Sequence, residues 1–450
     1  MSTAIPTRAG RRSLLAALCV ATAVVAACNE EPATRHPVAA SAHPPRVVVL
    51  GLDAGTWDLL DGFIARGLMP NLARLRSRGA SGKLQSSDVS SSPVIWTSIA
   101  TGKTPQKHGI TWFVRFPEGP GNPRPVDRTQ LTSRTLWNIL GDKRLDVAVV
   151  GWYVTWPAEP VNGRLVSDIA HYGSIDDEAF PPGYLSTLAP VKESEAISAM
   201  PSFMDFAYDP SRATHREGEP PSLDFLVYDR FVRAYSRDLF YSRATEALLR
   251  DGPLPEALFV YLRGTDDVQH GFWKFMDPEP FGDVPPDQVE KFGKVIERYW
   301  SWIDARVGEI LAHYKEPPLV LIMSDHGAGA AVGDNVVTEH RYLHLSGAHR
   351  SQGILLANGP GVRAGATIEG AAVYDVAPTL LHYLGYAVGD DMDGHVLTGL
   401  FDPSIADRPV EHVATYETGA TSQPAPALPR PGEAVDRAQL EHLRSLGYIE

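Results

Sequence analysis

Three apolar runs in this chain end in aspartate: "VVVLGLD" at Asp53, "LFVYLRGTD" at Asp266 and "LVLIMSD" at Asp325. One aspartate at a strand end commonly caps a turn or a helix. Three of them, two with a histidine close behind, point elsewhere. His270 follows Asp266 by four residues, so a helix starting there puts both side chains on one face. His326 follows Asp325 directly in "SDHG", and His349 lies in "SGAHRSQG", just ahead of the run "GILLA". Three carboxylates and three imidazoles can hold two divalent metal ions, each with nitrogen and oxygen donors. Two such ions roughly 3.5–4 Å apart clamp the attacking and leaving oxygens of a phosphoryl transfer.

That set lacks a nucleophile. Residues 90–102, "SSSPVIWTSIATG", offer one. Pro93 suits the first position of a helix, where its missing N–H costs nothing. Ser92 then becomes the N-cap, with its oxygen where backbone N–H groups and the helix dipole favour negative charge. Without a metal centre nearby, the same serine would be an ordinary structural cap.

The elements that must position these residues read as α/β. Continuous apolar runs bounded by turn residues occur at Val47–Leu52, Val147–Val150, Leu258–Leu262, Leu319–Met323 and Ile354–Leu356. Such runs fit strands buried on both faces. Between them lie helix-like stretches such as "MPNLARLRSRG" and "VIERYWSWIDARVGEILAHY". The pattern predicts a mostly parallel central sheet with helices on both faces, and a site at the carboxyl edge of its strands. From about 165 to 255 strand signals thin out and prolines recur, which predicts an inserted cap within a catalytic domain spanning 46–416. Residues 417–433 read as a linker and 434–450 as a short helix docking back onto the body.

Composition narrows the partners. The formal net charge of −13 argues against nucleic acid as the main partner, which needs clustered Lys and Arg. Both cysteines, Cys19 and Cys28, lie in the first thirty residues, so the body has no disulfide, no thiolate-held zinc and no cysteine nucleophile. Arg8, Arg11 and Arg12 precede the apolar stretch "SLLAALCVATAVVAA", which is too short to span a bilayer. It ends in "VAAC", which resembles a bacterial lipobox. Residues 1–28 are therefore expected to be a signal peptide that leaves Cys28 lipidated. Residues 29–45 have the composition of a flexible tether. The expected location is a bacterial membrane, on its periplasmic or cell-surface side.

Taken in order, "GLDAGTWD", "SSPVIWTSIATGKTPQKHGI", "GTDDVQHGFW", "MSDHG" and "SGAHRSQGILLANGPGV" resemble the type I phosphodiesterase/nucleotide pyrophosphatase branch of the alkaline phosphatase superfamily. The resemblance runs from about Arg46 to the C-terminus, with "YDVAPTLLHYLG" and "LRSLGYIE" adding weaker support. It implies an alkaline phosphatase-like fold and two metal ions, usually zinc, with manganese or magnesium as alternatives. Carried over, Asp266, His270 and His349 hold one ion; Asp53, Asp325 and His326 hold the other, together with the Ser92 oxygen. The family's nucleophile precedes the threonine of "TG" by nine residues, which selects Ser92 over Ser91 and Ser90. The implied activity is hydrolysis of a phosphomonoester or phosphodiester through a phosphoseryl intermediate. A phosphotransferase, a mutase or a phosphonate ester hydrolase on the same fold is the alternative, and a non-catalytic metal-binding lipoprotein a more distant one.

Ile95 stands where nucleotide pyrophosphatases carry a phosphate-binding asparagine, which argues against a nucleotide substrate. It also stands where formylglycine sulfatases need arginine. The remaining candidates are expected to support rather than react. His340 and His344 are read as surface groups or neighbours of the ligands, His108 as a structural tie after the nucleophile helix, and Lys103 and Lys107 as solvated. Arg263 and Arg350 are expected beside the metal centre rather than on it.

Overall fold

The strands of the central sheet are β1 (Val47–Leu52), β2 (Ala80–Gln85), β3 (Val147–Val150), β4 (Gly163–Val166), β5 (Ala179–Phe180), β6 (Ala257–Leu262), β7 (Leu319–Met323), β8 (Gln352–Asn358) and β9 (Thr367–Ile368). They were obtained from a computed structural model. It describes residues 46–88, 91–116, 122–173, 177–187, 223–332, 345–417, 433–445 and 449. The expected signal segment with Cys28, the tether, Ser90, His340, His344 and nearly all of the 417–433 linker lie outside the described residues.

The nine strands lie in the order β9-β2-β8-β7-β1-β6-β3-β4-β5. The central run β7-β1-β6-β3-β4 is parallel throughout, while β8 is antiparallel to both β2 and β7. Every residue of β1, β6 and β7 is buried, as unbroken apolar runs require when helices cover both faces. The pleat divides them. Val48, Leu50 and Leu52 join a core with α1 (Trp57–Ala65), α2 (Pro70–Arg78), α4 (Leu223–Arg250), α5 (Gly264–Met276) and α6 (Val295–Ala312). Val47 and Val49 join the opposite core with α3 (Ser92–Thr101) and α7 (Val376–Tyr383). Each large side chain buried this way contributes on the order of 1.5–3 kcal/mol.

Within the stretch expected to be a cap, β4 and β5 extend the main sheet. Helix α4 is also part of the body, burying Phe231, Tyr235 and Leu248 in the first core. The described parts of 165–255 are thus largely body, and 188–222 lie outside the described residues. The C-terminal helix α8 (Glu433–Ser445) docks through Leu440 and Leu443 onto Phe113 and Val114. Among the described residues no helix is long and apolar enough to cross a membrane.

Candidate active site

Strand register brings the three aspartates to one edge. Gly51 of β1 pairs with Met323 of β7 on one side and Tyr261 of β6 on the other, so all three chains leave the sheet at the same level. The exits are tied to one another. The Ser324 hydroxyl donates to the Leu52 carbonyl and accepts the Gly55 N–H at 2.9 Å. The Thr265 hydroxyl donates to the Asp53 carbonyl at 2.6 Å. Ala54 turns the chain away at φ 59°, a left-handed conformation that a non-glycine residue adopts only when its surroundings hold it there.

The first cluster forms where α5 meets a two-stranded ribbon, Gly327–Ala330 paired with Gly347–Arg350. His270 Nε2 stands 3.2 Å from Asp266 Oδ1, as the four-residue spacing predicts. His349 Nε2, delivered by the ribbon, lies 3.4 Å from the same oxygen and 3.0 Å from His270 Nε2. The ribbon approaches this closely because residue 347 is glycine; a Cβ there would sit 2.4 Å from the Gln269 carbonyl oxygen. The Gly347 carbonyl accepts the His270 Nδ1–H at 2.8 Å, an assignment that leaves Nε2 as the free donor atom. Arg350 braces the ribbon through the Ala330 and His349 carbonyls, at 2.6 and 3.1 Å.

The second cluster lies alongside. His326 Nε2 is 3.4 Å from both Asp53 Oδ1 and Asp325 Oδ2. Its Nδ1–H is directed to the Gly327 carbonyl at 3.1 Å, and its ring stacks on His349 with centroids 3.7 Å apart. His326 also falls within reach of Asp266 and His349, so it stands between the two groups. The other Asp53 oxygen accepts a hydrogen bond from the Tyr261 hydroxyl.

The electrostatics of the site call for cations. Burial, and then the Asp266 charge, raises the Asp53 pKa; burial and the Asp53 charge push Asp325 well above the carboxylate range. Burial and His326 hold His349 down at about 3, so its imidazole is neutral. Burial opposes charge on Asp266 as well, but His270 outweighs it and keeps that carboxylate ionised. Asp53 Oδ1, Asp325 Oδ2 and His326 Nε2 are buried without a hydrogen-bond partner. Leaving such groups unmet costs about 1–3 kcal/mol each, more where they are charged. Divalent ions with N and O donors fit this set.

Ser92 opens α3, one residue inside the helix. The expected N-cap is displaced: the Ser91 carbonyl accepts the Ile95 N–H at 3.0 Å, which makes Ser91 the cap and puts Pro93 second in the helix. Ser92 is almost fully buried, and its hydroxyl makes no hydrogen bond to any described residue. One turn on, Trp96 lies over Gly51, where a Cβ would meet the indole at 2.6 Å, and packs on Tyr261 at 4.6 Å between centroids. The start of α3 is thereby fixed against the strands that carry Asp53 and Asp266.

The family model for type I phosphodiesterase/nucleotide pyrophosphatase matches residues 47–398. The chain belongs to that family. It is accordingly a phosphoester hydrolase of the alkaline phosphatase superfamily. A mutant of the alkaline phosphatase PafA superimposes with a TM-score of 0.50 at 13% identity, covering 81% of this chain and 100% of that one. Murine ectonucleotide pyrophosphatase/phosphodiesterase 5 gives 0.45 at 13% identity, covering 78% and 96%. A phosphonate monoester hydrolase from Silicibacter pomeroyi gives 0.46 at 14%, covering 81% and 77%. Among curated proteins, none matches by sequence.

Other expectations fare unevenly in this phosphodiesterase-family site. Ile95 is fully buried in the core and faces no ligand group. His108 ties down the turn, accepting the Ile110 N–H at Nδ1 and pairing through Nε2 with Ser98 at 3.0 Å. Lys103 is not solvated: it is 3% exposed and pairs with Asp391 and Glu417 at 2.7 and 2.6 Å. Lys107 pairs with Asp393 at 2.6 Å. Tyr261, which holds Asp53, has no signal of its own in the sequence, because inside "LFVYL" it looks like one more strand residue. Asp267 likewise carries nothing to distinguish it beside Asp266.

Proposed function

We propose that this family member is an exported, lipid-anchored phosphoester hydrolase in which Ser92 is the nucleophile. The observation that carries the reading is the convergence of Asp266, His270 and His349 within 3.4 Å of one another, beside Asp53, Asp325 and His326 with unpartnered buried donor atoms. Asp266, His270 and His349 would hold one divalent ion; Asp53, Asp325, His326 and the Ser92 oxygen would hold the other. Zinc suits the imidazole-rich group, and manganese or magnesium the carboxylate-rich one. When bound, such ions supply the positive charge that stabilises the attacking and leaving oxygens.

The chain's own residues do the rest. The Ser92 oxygen attacks phosphorus in line, the ester oxygen leaves as an alcohol, and a phosphoseryl group forms. Water then attacks that phosphorus, releasing the phosphate product and restoring Ser92. Tyr261 keeps Asp53 oriented during both steps. Among the described residues no base is hydrogen-bonded to Ser92, which fits a nucleophile activated by charge rather than by histidine. Export and anchoring rest on the sequence around Cys28.

The test uses residues 29–450 loaded with zinc. A chromogenic phosphate diester and the matching monoester should be hydrolysed by the wild type, and EDTA should abolish turnover. Full activity in EDTA would overturn the reading.

A further inference from the structure

Arg263 leaves the end of β6 three residues before Asp266 and meets its nearest carboxylate only at long ion-pair distance. The guanidinium makes no hydrogen bond to any described residue, and its Nε is sealed from solvent without a partner. Its carboxylate neighbour, Asp267 Oδ2, stands 3.9 Å away. The reason is competition. Asp267 Oδ2 already accepts from Arg237 Nη2, and Asp267 Oδ1 lies 3.2 Å from His442 Nε2. His442 belongs to the C-terminal helix α8, which brings an imidazole to the far side of that carboxylate.

A second unmet donor sits against it. The Arg263 guanidinium lies over the Tyr153 ring, 5.4 Å from its centroid, and the Tyr153 hydroxyl is buried with no partner. Burial raises the Tyr153 pKa above the ordinary phenol value, so the hydroxyl keeps its proton. Both side chains line a cavity that also takes in Pro93, the neighbour of Ser92, and Tyr261. That cavity is about 70 Å³, and an adjoining one of about 270 Å³ shares Arg237 and His442 with it. A guanidinium with unmet hydrogen-bond donors is answered by a carboxylate or phosphate through two parallel charge-assisted hydrogen bonds.

We propose that Arg263 and Tyr153 form an oxyanion subsite for the ester arm of the substrate. The inference rests on the hydrolase reading above and narrows it: the substrate is a phosphodiester whose arm carries a second negative charge, carboxylate or phosphate.

Three p-nitrophenyl phosphodiesters test this, with butyl, carboxypropyl or phosphonopropyl as the second ester arm. Wild type should favour the charged arms by about tenfold or more in kcat/KM, the carboxyl and phosphono probes telling the two anions apart. R263Q should bring the charged-to-uncharged ratio to about one, and R263K should restore part of it. A wild-type ratio near one, or a ratio unchanged in R263Q, would overturn the subsite. Calorimetry with the matching non-hydrolysable alkyl phosphonates separates this from the hydrolase reading. Charge-selective binding lost in R263Q, without turnover of any ester, would support the subsite while contradicting hydrolysis.

Discussion

His270 Nε2 and His349 Nε2 face each other at 3.0 Å, both within 3.4 Å of Asp266 Oδ1. Two imidazole nitrogens and a carboxylate oxygen so disposed can hold a cation between them. With His270 Nδ1–H spent on Gly347, Nε2 is the atom offered to it. His270→Ala should therefore lower bound zinc by about one ion per chain and cut turnover at least ~100-fold. Mass spectrometry for metals on the dialysed variant checks the first figure, and an undiminished zinc content would contradict the assignment.

Tyr261 touches no expected ion; it holds Asp53 through its hydroxyl. Tyr261→Phe keeps the packing with Trp96 and loses only that hydrogen bond. Metal affinity at the Asp53 group should weaken by about 10–100-fold. Competition with a chelator of known affinity measures this, and excess metal should recover the activity.

Lys103 is a buried cation shared by Asp391 and Glu417. Lys103→Met leaves both carboxylates without their partner. They are partly exposed, which softens the loss to roughly 2 kcal/mol. Urea denaturation at neutral pH should register that change as a lower midpoint, and a midpoint equal to the wild type's would contradict it.

His108 gives a pH dependence with a defined sign. Burial lowers its pKa from 6.5 to about 4, and protonation would also displace the Ile110 N–H from Nδ1. Below pH 6.5 the unfolded chain takes up a proton that the folded chain refuses. Stability from this group is thus complete above about pH 6.5 and falls away toward pH 4, by on the order of 3 kcal/mol in all. Urea midpoints between those pH values, compared with His108→Asn, should show a shallower acid slope in the variant. Identical slopes would mean that His108 is not the group responsible.

The parts of this site visible in the sequence are those that local physics dictates. Asp53, Asp266 and Asp325 can be found because strands buried on both faces are unbroken apolar runs, and such runs end where the chain must turn. Sequence alone places the start of α3 one residue late. Proline is tolerated throughout the first helical turn, so its position does not settle which serine carbonyl closes the first ring. Lys103 looks solvated because its partners, Asp391 and Glu417, lie far along the chain. Distance in sequence also hides the state of Arg263: only the fold brings Arg237 onto Asp267 Oδ2 and leaves Arg263 3.9 Å from that oxygen. Helix α4 reads as part of a cap because its long stretch mixes charged and apolar residues, and its buried face emerges only when it packs on α5.

One measurement decides the nucleophile. Ser92→Ala, brought to the same zinc content as wild type, should hydrolyse a phosphate diester at least ~1,000-fold more slowly, with Ser92→Thr retaining activity because it keeps the hydroxyl. Turnover by Ser92→Ala at the wild-type rate would contradict the assignment of Ser92.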